Sequence, residues 1–431
     1  MDYLIICALI VEVVILSLVD RRIFGTWLTP VSLLSCPYVA VLVSAFLFAP
    51  ALGFVPVYAP SITIWMAGLP IFSVVSIVAG CLFGRLGTTH PFQTDERLRN
   101  HDFPAVKLAI WVAWAALPLM AYGLREAVLT SGGWTEIGGW DFRVAYSHGI
   151  GAHAVVLAFP LVVLLVGTYQ KGHKLQLVTI SGLLLFLFVS QVKGTLLAPL
   201  LGGMVFRVAR GALKLTLTRI IAGIGSTFLL FNLIYILGWS AADPRFLDDS
   251  DTYLYLSRHY LFYLWSGVLA FSEALRRHVG FVGGPWYTIF APFLNVYHVL
   301  CGAGHIVDAG SLHELGMETD LGATHGVNTY TMVGTLYLYL GFFGTLLILL
   351  GIAILFYGLL VACRVSANPW LLTLYSIQVS WLIVGFFEYY FWYLTSLEVA
   401  FYCFILAVLQ GGRFTLETVG TPSLESEVAA L

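Results

Sequence analysis

Seven basic residues stand apart from the other cations of this sequence: Arg125, Arg143, Lys193, Arg245, Arg258, Arg276 and Arg277. Guanidinium groups fork onto phosphate oxygens, and an ammonium binds them as a point charge. A second feature is "THGVNTYTMVGTLYLYLGFFGTLL", in which His325, Asn328 and Tyr330 stand at the start of a long apolar run. An imidazole can take a proton from a hydroxyl near neutral pH. With Thr324 as its cap, a helix starting there would turn backbone N–H groups and a positive dipole end towards an anion. Cations, histidine and helix mouth together suit a phosphate-bearing, lipid-linked ligand. Each residue also has a plainer reading. The cations can be solvated or paired with Glu126, Asp141, Asp243, Asp248 or Asp249, His325 can anchor a loop, and Lys193 can snorkel to an interface.

The elements that must hold these groups are membrane helices. Of 431 residues 59% are hydrophobic and only 10% charged, and the mean hydropathy is +0.90, which excludes an ordinary soluble domain. Apolar runs predict about eleven crossings, at 3–19, 27–48, 63–83, 107–124, 149–169, 175–191, 195–209, 217–238, 328–361, 369–387 and 395–410. The first run lacks a basic flank and a cleavage site and reads as a retained helix. Arg21 and Arg22, Arg85 to Lys107, Lys171 and Lys174, Arg207 to Arg219, Arg364 and Arg413 occupy every second connection. The positive-inside rule makes that side, and the C-terminus, cytoplasmic. The seven cations above then all lie outside.

Four regions follow: helices over 1–238, a long external loop over 239–327, helices over 328–410, and a polar tail over 411–431 expected to be disordered. Within the loop, "TYLYLSRHYLFYLWSGVLAFSEALRRHVG" repeats Arg258, His259, Ser266, Glu273 and Arg276 at helical intervals, as an amphipathic helix on the membrane face would. The competing reading makes 260–275 a crossing, at the cost of placing charge in lipid. Gly334, Gly341 and Gly344 lie near one helical face and read as a close-packing stripe. The loop with Arg143, "GWTEIGGWDFRVAYSHG", has tryptophans that could anchor at the interface or stack on a sugar. No nucleotide-binding, metalloprotease or metal-ligand spacing occurs, the six cysteines form no CxxC pair, and the net charge of −2 points to no nucleic acid. No metal and no cofactor are expected.

Two stretches carry a resemblance. "YLYLSRHYLFYLWSGVLAFSEAL" is similar to a Tyr-rich segment ending in a small-residue turn, and "GVNTYTMVGTLYLYLGFFGTLLILLGIAI" to an Asn-x-Tyr-Thr helix entry followed by Gly-aromatic-aromatic-Gly. With one long periplasmic loop before the last three helices, the chain resembles the oligosaccharide repeat-unit polymerases, the Wzy-like O-antigen and exopolysaccharide polymerases, more distant relatives of the O-antigen ligases. The resemblance implies an all-α polytopic protein of about 11 (11–13) transmembrane helices, GT-C-like, in a bacterial inner membrane with its site facing the periplasm. It implies a metal-independent glycosyltransferase whose donor and acceptor are undecaprenyl-diphosphate-linked oligosaccharides, with membrane lipids and a chain-length regulator as further partners. Arg276, Arg277, Arg258 and Lys193, then Arg143 and Arg245, would stabilise the diphosphate. His325 would deprotonate the acceptor, and Asn328, His259 and Tyr330 would bind substrate. The sequence departs from the ligase branch in separating His325 from Asn328 by two residues, and no arginine-x10-glycine pattern follows Arg143, Arg258, Arg276 or Arg277. An O-antigen ligase shares nearly all these features. A lipid-linked oligosaccharide flippase would more often show internal repeats and charge at bilayer depth.

Overall fold

A computed structural model describes residues 2–87, 104–137, 139–190, 193–242, 252–277, 286–302, 307, 321–322, 327, 329–366 and 368–410. Arg245, Thr324, His325, Asn328 and the tail over 411–431 lie outside the described residues, and of Lys193 only the backbone is described.

The described residues form helices and no strand. In chain order these are α1 Asp2–Phe24, α2 Pro30–Phe48, α3 Ala59–Gly87, α4 Pro104–Ser131, α5 Trp140–Tyr146, α6 Gly149–Thr168 and α7 Lys174–Val189. There follow α8 Lys193–Ala209, α9 Leu217–Ala242, α10 Thr252–Arg276, α11 Ala291–Cys301, α12 Met332–Val365, α13 Pro369–Ile383 and α14 Leu394–Leu409. Seven of them, α1, α2, α3, α4, α6, α9 and α12, are long and apolar enough to cross a bilayer, and α7, α8 and α14 are shorter apolar helices. The protein is a helical membrane protein, and every run expected to cross coincides with a helix. Pro37, Pro70, Pro118, Pro160 and Pro199 sit inside helices, which packed membrane helices tolerate because neighbours satisfy the freed carbonyls.

Burial separates the centre from the rim. In α6, 61% of the apolar window is buried, against 11% in α9. α6 is packed by α4, α8 and α13, and α12 lies along α3, whereas α9 is held chiefly by α10. At one end of the bundle the turn between α1 and α2 is tied down by buried polar groups. Arg364 donates to the Phe24 carbonyl, Tyr357 donates to Asp20, and the Tyr375 hydroxyl donates to the Leu28 carbonyl at 2.7 Å.

The opposite end holds α10, and here the structure corrects three sequence expectations. First, α12 starts at Met332 and its cap is Thr331, whose Oγ1 accepts from the Gly334 N–H at 2.9 Å, so the cap is seven residues beyond Thr324. That mouth is closed: Thr331 is fully buried, Met332 N–H donates to the Gly385 carbonyl at 2.7 Å, and the Trp65 indole donates to Thr331 Oγ1 at 3.1 Å. Its first N–H groups are spent on the protein's own oxygens. Second, α12 is broken at Gly341, which adopts φ 66° and ψ −173°. At 1.5 Å per residue an unbroken 34-residue helix would run about 51 Å, well beyond a bilayer core of about 30 Å. The break sets off a buried first segment, Met332 to Leu340. Of the expected packing stripe only Gly334 meets another helix, a Cβ there coming 2.7 Å from the Phe271 ring; Gly341 serves the backbone break, with nothing within 4 Å. Third, the second half of α10 has no wet face: from Trp265 to Ala274 every residue is buried, and α10 packs on α2, α3 and α12, while Tyr253, Leu254 and Tyr255 in its first turn are exposed.

Candidate functional site

The site is built on α10 and on what it clasps. Arg276 donates to the Pro56 carbonyl at 2.6 Å and lies over the Tyr58 ring at 5.7 Å; Arg258 donates to the Leu52 carbonyl at 3.3 Å. Ser272 and Ser61 share a hydrogen bond of 2.8 Å, and the Trp265 indole donates to Ser44 Oγ at 2.9 Å. Both arginines therefore anchor α10 to the connection between α2 and α3. The two arginines are 18 residues apart, about 27 Å along a helix, and bond to carbonyls four residues apart in that connection, Leu52 and Pro56. Glu273 is paired with Arg276 at 3.1 Å and with Arg277 at 2.8 Å. One carboxylate serves two guanidiniums, leaving, among the described residues, a surplus positive charge at the end of α10. Its most accessible part is Arg277, whose side chain is 51% exposed and whose described bond uses only Nε.

A second group lies where α9 meets α10. The hydroxyl of Tyr235 and Nε2 of His259 are 2.8 Å apart. Around them Phe231, Tyr260 and Tyr263 pack edge-on or tilted, and Tyr255 stacks on the His259 ring at 5.5 Å. Arg143, exposed on α5, is close enough for its charge to act on Tyr235. This brings Arg143 and His259, some 116 residues apart in sequence, to one aromatic platform.

The third group was not legible in advance. Between α13 and α14 the chain "GFFEYYFWY" folds into a tight loop instead of extending α13 to residue 387. It is seated on α10, where a Cβ on Gly267 would come 2.5 Å from the Phe387 carbonyl oxygen, and Phe387 stacks on Tyr263 at 6.0 Å. It also meets the first turn of α8, where a Cβ on Gly194 would lie 3.2 Å from the Tyr390 ring, which puts the start of α8, Lys193, beside this loop. Inside it Glu388 is 8% exposed, and the Tyr393 hydroxyl donates to its Oε1 at 2.5 Å. Burial pushes the Glu388 carboxyl up to about 7, the Tyr393 and Trp392 side chains only partly opposing this. No spacing rule singles out this glutamate; the one available signal was an acid amid seven aromatic residues at the predicted outer end of a helix.

Of the expected site residues, Arg258, His259 and Arg276 share α10 and Arg277 directly follows it, Arg143 acts on Tyr235 beside His259, and the backbone of Lys193 adjoins the Glu388 loop. Tyr330 is 1% exposed, a core residue next to the α12 cap. Arg245, His325 and Asn328 lie outside the described residues. Among the described residues no three His, Cys, Asp or Glu side chains gather as a metal site.

The model of a family of unknown function, DUF6337, matches residues 53–415, and the chain belongs to that family. No curated protein and no solved structure matches it.

Proposed function

We propose that this member of the family joins undecaprenyl-diphosphate-linked oligosaccharide repeat units into a polysaccharide, as a GT-C-type glycosyltransferase of about eleven crossings in a bacterial inner membrane. The observation that carries the reading is the surplus positive charge that Arg276 and Arg277 place around Glu273, at the same end of the bundle as the Arg143–Tyr235–His259 platform. On this reading that end faces the periplasm and the C-terminus is cytoplasmic.

The chemistry needs little else. An acceptor sugar hydroxyl attacks the anomeric carbon of the donor's reducing-end sugar. The anomeric carbon–oxygen bond to diphosphate breaks, a glycosidic bond forms, and the hydroxyl proton passes to a base. Negative charge grows on the departing undecaprenyl diphosphate, so fixed cations there stabilise the transition state more than the ground state. Arg277 contacts the diphosphate; Arg276 and Arg258, already bonded to carbonyls, hold α10 in place and add their field; Lys193, whose backbone starts α8, is the further cation of this reading. The aromatic platform with His259 takes a sugar of the acceptor or donor. His325, the base expected from sequence, and Asn328 lie outside the described residues.

The test is complementation of a strain that lacks the gene, read as a glycan ladder on a gel, with membrane levels of each variant matched. Wild type restores the ladder. Arg277→Ala lowers chain formation by roughly a hundred- to a thousandfold, the usual effect of removing one charge-stabilising contact. A normal ladder from Arg277→Ala removes the diphosphate role of Arg277, and failure of wild type to restore any ladder removes the proposal itself.

A further inference from the structure

We infer that Glu388 is the group that accepts the proton of the acceptor hydroxyl, from its seat in the aromatic loop between α13 and α14; this rests on the polymerase reading. Three observations carry it. The carboxyl is buried in a loop of tyrosines and tryptophan at the α10 end of the bundle, where the cationic residues also lie. The loop is fixed on both sides, by Gly267 of α10 beneath Phe387 and by Gly194 of α8 against Tyr390, so the carboxyl is held and not free to swing into water. And a carboxylate in such surroundings is costly to keep unless it is used or paired with a cation; among the described side chains the partner of its Oε1 is Tyr393, a neutral donor. A purely structural link to Tyr393 would need no ionisable group.

The step balances simply. As the acceptor oxygen bonds to the anomeric carbon, its proton moves to a Glu388 oxygen. The diphosphate leaves with the electron pair of the broken bond, and the proton returns to water between turnovers. A base of this kind works best when it loses its proton near the ambient pH, and burial places Glu388 there, at about 7. Among the described residues, the titratable groups whose electrostatics couple to it are Tyr390 and Tyr393 of its own loop; around that loop lie Tyr389 within it, Tyr263 on α10 against Phe387, Tyr339 on α12, whose ring meets Trp392 at 6.0 Å, and the backbone of Lys193 at the start of α8. The sign is set by a raised carboxyl: Glu388 is protonated and idle below pH 7 and active above it, so activity rises with pH through that value.

The experiment uses the whole protein in lipid nanodiscs and, as probe, the lipid-linked single repeat unit extracted from the strain lacking the gene. Initial rates of chain formation are measured from pH 5.5 to 9. Wild type shows a rate that climbs through pH 7. Glu388→Gln loses about 10²- to 10⁴-fold, the usual contribution of a general base, and the remaining rate no longer climbs there. Tyr393→Phe keeps the carboxyl but removes a bond that favours its charged form, so its limb moves to higher pH, an effect that a merely structural role would not produce. Should Glu388→Gln fail to reach the membrane, Tyr393→Phe and Glu388→Asp decide by the position of the limb alone. A Glu388→Gln rate within twofold of wild type, or a limb unmoved in Tyr393→Phe, overturns the assignment and leaves the polymerase standing. No chains from wild type overturns the polymerase reading, and the role of Glu388 with it.

Discussion

Replacing Gly267 by alanine tests the contact that joins α10 to the Glu388 loop. A Cβ there would lie 2.5 Å from the Phe387 carbonyl oxygen, 2.6 Å from that of Phe386 and 2.9 Å from the Phe387 Cα. Carbon–oxygen contacts in proteins rarely come closer than about 3.3 Å, so the two segments must separate by close to 1 Å. All three obstacles are backbone atoms and cannot rotate aside. Overpacking of this type costs about 1–3 kcal/mol, and alanine's better helix propensity returns at most about 1. The Thr331 N–H to Gly267 carbonyl bond, 3.3 Å long, is strained by the same shift. The expected net loss is about 1–2 kcal/mol. Thermal unfolding of the purified protein in detergent measures it, with Gly223→Ala as control. Gly223 sits in α9 with no atom within 4 Å of its Cβ position, so that change is neutral or stabilising. If Gly267→Ala unfolds at or above the wild-type temperature, the seating of the loop on α10 is wrong.

Three further substitutions probe the same end of the bundle by the same unfolding measurement. Gly341→Ala forces a side chain onto a backbone at φ 66° and ψ −173°, a conformation essentially reserved for glycine, and is expected to cost about 1–3 kcal/mol; an unchanged midpoint would mean α12 is continuous there. Thr331→Val removes the α12 cap and the acceptor for Trp65, with an expected loss of about 0.5–2 kcal/mol. Glu273→Gln leaves Arg276 and Arg277 sharing a neutral partner; because their side chains are 34% and 51% exposed, solvent screens much of the effect and the loss should be only about 1 kcal/mol. Its midpoint should then be less sensitive to salt than that of wild type.

The helices were legible because they depend on local composition: the apolar runs coincide with helices from α1 to α14, seven of which are long and apolar enough to cross a bilayer. What was not legible depends on tertiary partners. Thr324 and Thr331 are equally good caps by residue type, and only the carbonyl of Gly385 and the indole of Trp65 select Thr331. The glycines of α12 share a face, but Gly334 meets Phe271 while Gly341 meets nothing and turns the chain. Arg258 and Arg276 read as unpartnered cations because backbone carbonyls of residues 52 and 56, more than 200 positions away, leave no mark in a sequence. Glu388 was hidden for the same reason: its surroundings are assembled from α8, α10 and its own loop, and a single acid in an aromatic run has no motif.

The central claim is tested most directly by the lipid-linked glycans that accumulate when the gene is deleted, extracted and weighed by mass spectrometry, with leaflet position read by access of an externally added glycosidase. The account predicts single repeat units on undecaprenyl diphosphate, open to the enzyme from outside, and their disappearance when the wild-type gene returns. Long lipid-linked chains would contradict it in favour of a ligase, and single units shielded on the inner face would contradict it in favour of a flippase.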